Sequence, residues 1–201
     1  MIVDKNGAVK ALKEAYKKGY EVSQDREIIT ICAAAWTIRA MTRQLPVEVA
    51  QTIVEHLGYL PTSAERVQKG TANQSVMPET MEWRTRRIQD VVESAVYMSK
   101  IPVIFKDKWQ LYRTDKGVHA FDTALLAMVS EDAMAAQYVT PEGIGLWRIG
   151  EEAIYIAQGK FDLEDQKKLR AIAELYENPQ VVPCDMPENL CIFDDIEEAA
   201  D

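Results

Sequence analysis

The spacing of the apolar side chains constrains the fold of this chain more than any other feature of the sequence. The most apolar stretch runs from Ile28 to Ile38. Its apolar residues recur every three or four positions, which is typical of a helix with a buried side. The sequence therefore predicts a long helix from Ser23 to about Gln44. Because apolar residues surround much of this helix, we expect it to lie in the centre of the core.

Residues that begin and end helices support further helices along the chain. Asp4 or Asn6 can cap a first helix and Gly19 can end it, while Pro46 is typical of the first turn of a third helix that Gly58 would close. The same apolar spacing then predicts the remaining helices. One of them begins at Pro78, and three others cover about 120–137, 150–158 and 163–177.

One segment departs from helical spacing. Residues 103–113 place apolar and aromatic side chains on both sides of a polar turn at 106–108, which is typical of a β-hairpin. We therefore predict a mainly α fold, a multi-helix bundle-like domain over residues 1–177 with this one small hairpin. A candidate sub-boundary lies near 100–117, and an irregular, extended acidic tail follows over 178–201.

Composition and cysteine content narrow the class of protein. The 201 residues are 47% hydrophobic and 27% charged, which are ordinary globular values. No apolar run reaches the roughly 18 to 20 residues that cross a bilayer, and the N-terminus lacks the layout of a secretory signal. Cys32, Cys184 and Cys191 are an odd number without the spacing of a disulfide framework, so thiols in a reducing compartment are expected. These features predict a cytoplasmic protein without a membrane partner.

The charge is unevenly distributed along the chain. Residues 1–120 carry 18 Lys and Arg against 14 Asp and Glu, a net of +4, whereas residues 121–201 carry 5 against 18, a net of −13. The segment 178–201 has seven acidic residues and no Lys or Arg. Such an asymmetry bears on partners rather than on fold.

Two basic groups in the first half are candidate contacts for nucleic acid or another anion. They are Lys10, Lys13 and Lys17 at helical spacing, and Arg84, Arg86 and Arg87 beside Trp83. Lys and Arg neutralise phosphates, and an aromatic side chain can stack on a base. The alternative is that both groups are solvated helix faces, with the Trp83 ring packed under arginine stems.

The sequence contains no clear motif for catalysis or cofactor binding. The glycine patterns of the common phosphate-binding loops are missing, and neither histidine belongs to a zinc signature, so we predict no cofactor and no metal. His119 and Asp122 are three residues apart and are the candidate centre of a pocket. Paired acids such as Glu131 and Asp132 do not face one another on a helix and are expected to be solvated.

The sequence also contains one internal echo. Residues 112–118 and 138–144 share the pattern Tyr-x-Thr-x-x-Gly-aliphatic, and an aromatic residue follows each at Phe121 and Trp147. Thr as a cap and Gly as a turn residue would explain the likeness without duplication. The alternative is a duplicated strand–turn–helix unit.

These features favour a non-catalytic intracellular binding or regulatory protein that acts through contacts with protein or nucleic acid. One alternative is a small enzyme whose non-local site surrounds His119 and Asp122. Another is an acidic mimic-type inhibitor whose half from Phe121 to Asp201 occupies a basic groove on its target. A further alternative is a structural subunit whose apolar faces are buried in a homo-oligomer.

Overall fold

Antiparallel strands dominate the fold. The computed structural model describes residues 1–62, 65–70, 73–78, 82–115, 117–134, 137–150, 153–159, 167–169, 171–172 and 174–175, without the side chains of 77–78 and 82–87. Within these residues, nine strands form one antiparallel sheet and three form a second. The predicted mainly α, bundle-like fold is therefore wrong, and the protein is mainly β. The predicted acidic tail over 178–201 lies outside the described residues.

Two helices were predicted from the residues at both of their ends, and both are confirmed. The helices are α1 (Lys5–Lys18), α2 (Val47–Leu57), α3 (Glu82–Ser94), α4 (Thr123–Leu126) and α5 (Glu131–Met134). Asp4 caps α1 by accepting a hydrogen bond of 2.8 Å from the Gly7 N–H. Gly58 ends α2 as expected, and Pro46 is its N-cap residue, one position before the first turn in which it was expected. Pro78, predicted to begin a helix, instead lies in a strand before α3.

The strands cover most of the remaining described residues. In the first half they are β1 (Tyr20–Asp25), β2 (Ile28–Cys32), β3 (Trp36–Met41), β4 (Glu65–Lys69) and β5 (Gln74–Pro78). In the second half they are β6 (Val96–Tyr97), β7 (Ser99–Phe105), β8 (Trp109–Thr114), β9 (Gly117–Asp122), β10 (Gln137–Val139), β11 (Ile144–Ile149) and β12 (Ala153–Gln158). The large sheet has the order β5-β4-β1-β2-β3-β12-β11-β10-β6, so the pairing of β3 with β12 joins the two halves of the chain.

The predicted central helix over 23–44 is wrong, because β1, β2 and β3 occupy this segment as an antiparallel meander. The β-branched run from Ile28 to Ile31 favours a strand. Along β2, Ile29 and Ile31 point into the core, and the intervening side chains point to the opposite face. The predicted helix over 150–158 is replaced in the same way by β12, where Ala153, Tyr155 and Ala157 alternate into the core.

The hairpin predicted over 103–113 is confirmed as β7 and β8, and β9 adds a third strand. Where a helix was predicted over about 120–137, the chain instead completes β9, forms the short α4 and α5, and enters β10. Described residues 167–169, 171–172 and 174–175 are helical, as predicted for 163–177. Leu169 and Ile172 pack against the face of the three-stranded sheet that carries Leu111, Val118 and Ala120.

The main core lies between the two helices α1 and α2 and one face of the large sheet, here called the inner face. Leu12 of α1, Ile53 of α2 and Ile31 of β2 are fully buried in it. Aromatic rings extend the core to the three-stranded sheet, since the Phe121 and Trp147 ring centroids are 5.3 Å apart. Tyr112 is 5.6 Å from Phe121 in the same cluster. Among the described residues, no helix is long and apolar enough to cross a membrane.

Both copies of the sequence echo form hairpins, β8–β9 and β10–β11, so the unit is strand–turn–strand rather than strand–turn–helix. In the first turn the Thr114 hydroxyl donates to the Gly117 carbonyl oxygen at 3.2 Å. In the second, the Gly143 N–H donates to the Thr140 carbonyl oxygen at 2.9 Å. The two echoed aromatic residues, Phe121 and Trp147, are the ones whose rings meet in the core.

Candidate functional site

The lysines singled out in the sequence share the solvent side of α1. Ala8, Leu12 and Ala15 point into the main core. The opposite side of α1 is exposed and carries positive charge. Its lysines are Lys10, Lys13, Lys17 and Lys18. The amphipathic spacing of α1 thus gathers the charges on one surface.

An aromatic pair lies beside these lysines. Tyr16 of α1 is 39% exposed, which leaves part of this residue available to a partner. Its centroid is 4.3 Å from the imidazole of His56, which comes from the last turn of α2. The Tyr20 hydroxyl and His56 Nδ1 are 3.0 Å apart, so a hydrogen bond fixes the imidazole from the other direction. The two helices therefore hold the exposed ring in place.

A lysine from the sheet completes the group. The Lys69 ammonium at the end of β4 lies 5.2 Å from the centroid of the Tyr16 ring, within range of a cation–π contact. The strand register brings Lys69 here, because it pairs with Tyr20, the first residue after the turn at the end of α1. We call the set of these side chains the basic–aromatic face. It consists of Lys10, Lys13, Tyr16, Lys17, His56 and Lys69.

Burial and nearby charges both act on the pKa of His56. Burial lowers the pKa most, and the nearby ammonium groups of Lys13 and Lys69 lower it further, against an opposing effect from Glu55. The imidazole is therefore held in its neutral form, which can accept the hydrogen bond from Tyr20. Burial raises the pKa of Tyr20, so this phenol keeps its proton. The support beneath Tyr16 is uncharged, and the charge of the face comes from its lysines.

The second basic group, the three arginines, lies in α3 rather than in α1. Arg84, Arg86 and Arg87 belong to the beginning of α3, where the structure describes the backbone but not the side chains. The contact predicted for these arginines therefore lies outside the described residues.

His119 and Asp122 are both in β9, but the structure does not bring them together. Residues three apart along a strand point to opposite faces. His119 Nε2 is 3.4 Å from the Thr114 hydroxyl, and burial lowers the pKa of this histidine. The Asp122 carboxylate instead accepts a hydrogen bond of 2.8 Å from the Ala124 N–H at the start of α4. It also pairs with the Lys108 ammonium at 3.3 Å.

Reasoning from the sequence missed Tyr16, His56 and Lys69 as members of this site. Tyr16 follows Lys13 by three positions, a spacing that places two residues on one helix face. This spacing was a signal in the sequence for Tyr16. Lys69 carries no local signal, because its contact with Tyr16 arises only from the pairing of β1 with β4.

The chain matches no model of a known protein family, no curated protein and no solved structure. In the part of the chain that the structure describes, no group of three His, Cys, Asp or Glu side chains could hold a metal ion. The chemistry of the basic–aromatic face therefore has to be inferred from its geometry.

Proposed function

We propose that this protein works by binding, and that the basic–aromatic face contacts single-stranded nucleic acid. One observation supports the proposal: the partly exposed Tyr16 residue packs against His56 and lies within 5.2 Å of the Lys69 ammonium, on the helix that carries the exposed Lys10, Lys13 and Lys17. Proteins that bind single strands combine a basic surface, which tracks the phosphates, with aromatic side chains on which bases stack.

The energies of the competing contacts favour an exchange at Tyr16. An exposed cation–π contact such as that of Lys69 is worth about 0.5–1 kcal/mol. Base–aromatic stacking is worth about 1–3 kcal/mol. A base can therefore take the place of the Lys69 ammonium at the ring, and the ammonium then becomes available to a phosphate. His56 keeps the ring in position while this exchange occurs.

The net charge of −9 does not contradict this proposal, because the acidic excess lies in another part of the sequence. Residues 121–201 carry a net of −13, whereas residues 1–120, which hold every residue of the face, carry a net of +4. Binding that depends on a few lysines is weakened by salt through counterion release. The acidic segment 178–201 is expected to compete with nucleic acid for the lysines, which also weakens binding.

The test is fluorescence anisotropy of a labelled single-stranded oligothymidine at low salt, with the full chain and with the chain lacking residues 178–201. We expect binding that falls with added salt and is tighter in the shortened chain. A duplex of equal length should bind more weakly, because its bases are not available for stacking. No binding by either chain at low salt would overturn the proposal.

Matched variants locate the contact. Lys13→Glu reverses a charge on the face, and Lys100→Glu reverses a charge on β7. We expect Lys13→Glu to weaken oligothymidine binding about tenfold or more, and Lys100→Glu to change it much less. Tyr16→Leu keeps an apolar side chain but removes stacking, so it should weaken binding by about 1–3 kcal/mol. Equal effects of the two charge reversals, or equal affinity for polyglutamate, would contradict a specific contact with nucleic acid.

A further inference from the structure

A cleft of about 510 Å³ lies on the face of the large sheet opposite the main core, here called the outer face. Its lining comes from the ends of β1 to β4, from the strands β11 and β12, and from α3. Ligand-binding clefts commonly have volumes of about 300–1,000 Å³. The cleft is therefore large enough for a small organic molecule.

The floor of the cleft is a single row of side chains across the sheet. The strand pairing aligns Gln68 of β4, Glu21 of β1, Cys32 of β2, Thr37 of β3 and Ile156 of β12. All five line the cleft. Since neighbours along each strand point into the main core, these side chains point to the outer face. The row is polar over its first four positions and becomes apolar where β3 meets β12.

The apolar end of the cleft has a wall as well as a floor. Ile88 and Val91 of α3 line this end together with Ile144 and Ile156 of the sheet. Ile88 and Val91 also pack into an apolar cluster with Leu146 of β11. This end can therefore surround the apolar part of a ligand.

The polar end carries positive charge at its mouth. Lys18 at the end of α1 and Lys69 at the end of β4 both line the cleft. Gly19 lets the two elements approach, because its φ is +97° and a Cβ there would lie 3.1 Å from the Lys69 carbonyl oxygen. The Glu21 carboxylate lies 3.8 Å from the Arg66 guanidinium, which offsets its negative charge. The net charge around the polar end is therefore positive.

We propose that the cleft binds a small amphipathic anion, a molecule with a carboxylate-type head and an aliphatic or aromatic body. The head lies near Lys18 and Lys69, within reach of the hydrogen-bonding groups of Gln68 and Thr37. The body lies between α3 and the isoleucines of the sheet. The cleft adjoins the basic–aromatic face and shares Lys69 with it, but its floor and its apolar end belong to the cleft alone.

The alkylation rate of the Cys32 thiol can show whether a ligand occupies the cleft. Its thiol lines the floor and accepts a hydrogen bond of 3.6 Å from the Thr37 hydroxyl. A ligand in the cleft should shield this thiol from alkylation by iodoacetamide. Cys184 and Cys191 in the same chain serve as internal references when the alkylated peptides are separated by mass spectrometry.

The experiment measures the alkylation rate of Cys32 in the full chain with decanoate and with decyltrimethylammonium, which has the same alkyl length and opposite charge. We expect decanoate to slow alkylation of Cys32 at least fivefold in a saturable manner, without slowing Cys184 or Cys191. The ammonium compound should have a much smaller effect. No protection by decanoate, equal protection by both compounds, or equal slowing of all three thiols would overturn the proposal.

Three variants separate the cleft from other surfaces. Thr37→Phe fills the floor, whereas Thr30→Phe adds the same ring to the outer face of β2 outside the cleft. The ratio of Cys32 alkylation rates without and with decanoate should fall towards one in Thr37→Phe and persist in Thr30→Phe. Lys13→Glu, which alters the basic–aromatic face alone, should leave the ratio unchanged. Persistence of the ratio in Thr37→Phe would place the decanoate elsewhere and contradict the proposal.

Discussion

Gly7 in the first turn of α1 lies directly against the backbone of Ala127, so that a Cβ on Gly7 would be 1.9 Å from the Ala127 carbonyl oxygen. Neighbouring contacts hold this arrangement. The Asp4 N–H donates to the Met128 carbonyl oxygen at 2.9 Å. Val3 and Val129 form an isolated antiparallel bridge. The start of the chain is thereby joined to the segment that follows α4.

This contact reverses the usual effect of a glycine in a helix. Helix propensity alone predicts that Gly7→Ala stabilises α1 by about 1 kcal/mol. The contact with Ala127 predicts a loss of about 1–3 kcal/mol or more, because the backbone has to move to admit the methyl group. Urea denaturation gives the free energy of unfolding, and Lys10→Ala on the exposed side of α1 is the control, expected to change it by less than about 0.5 kcal/mol. A stabilised Gly7→Ala variant would show that the two segments separate readily.

Gln110 compensates for an irregularity in the neighbouring strand. The register of β7 against β8 shifts between Lys100 and Ile104. The buried Gln110 amide nitrogen donates to the carbonyl oxygens of Ile101 and Val103 within this interval. A buried carbonyl group that loses its hydrogen-bond donor lowers the stability of the folded state. Gln110→Leu should therefore destabilise the protein by about 1–3 kcal/mol. Gln89→Ala on the exposed side of α3 is the control for thermal or urea unfolding, and equal effects of the two would contradict this role.

Tyr155 is a buried phenol with a defined partner. Its hydroxyl donates a hydrogen bond of 2.9 Å to the Leu125 carbonyl oxygen, and burial raises its pKa. Tyr155→Phe keeps the ring but leaves the carbonyl without this donor, and should lower the free energy of unfolding by about 1–2 kcal/mol. Tyr97→Phe removes a hydroxyl from a side chain that is 59% exposed and should have little effect. A double-mutant comparison would detect any coupling between the two.

His119 should make stability depend on pH. Burial lowers its pKa from the ordinary value of 6.5, so the unfolded chain binds the proton more readily than the folded one. Stability is therefore fully present above about pH 6.5 and is lost as the pH falls below that value towards the lower pKa of the folded state. His119→Gln should reduce the slope of unfolding free energy between about pH 7.5 and 5.5. Because the pKa of His56 is also lowered, His56→Gln should reduce the slope separately, and an unchanged slope in both variants would contradict the assignment.

Local residue types predicted part of the fold well. The boundaries of α1 and α2 followed to within a few residues from Asp4 or Asn6, Gly19, Pro46 and Gly58, because caps and terminators act locally. The hairpin over 103–113 was recognisable from its aromatic alternation around a polar turn. These elements are the ones whose determinants are close together in the sequence.

The meander over 23–44 shows why the rest was missed. Its apolar residues satisfy helical spacing and strand alternation at once, and periodicity cannot separate the two for short apolar stretches. The β1–β2 turn offered no glycine or asparagine as a signal, because Arg26 itself adopts the left-handed conformation with φ of 51°. The β-branched residues from Ile28 to Ile31 were the better guide.

The candidate sites were also predictable only where their residues lie close together in the sequence. The lysines of α1 were predictable as a group because helical spacing gathers them. The cleft was not, since the row from Gln68 to Ile156 exists only after five strands from distant parts of the chain have paired. A site built by strand register leaves no motif in a single sequence.

The position of β12 has a consequence for biosynthesis. While the chain emerges from the ribosome, β3 is available long before its neighbour at 153–158 has been translated. Until then, its open backbone groups form a template on which other nascent chains can pair. Because distant pairing of this kind slows folding, the sheet is expected to be completed late.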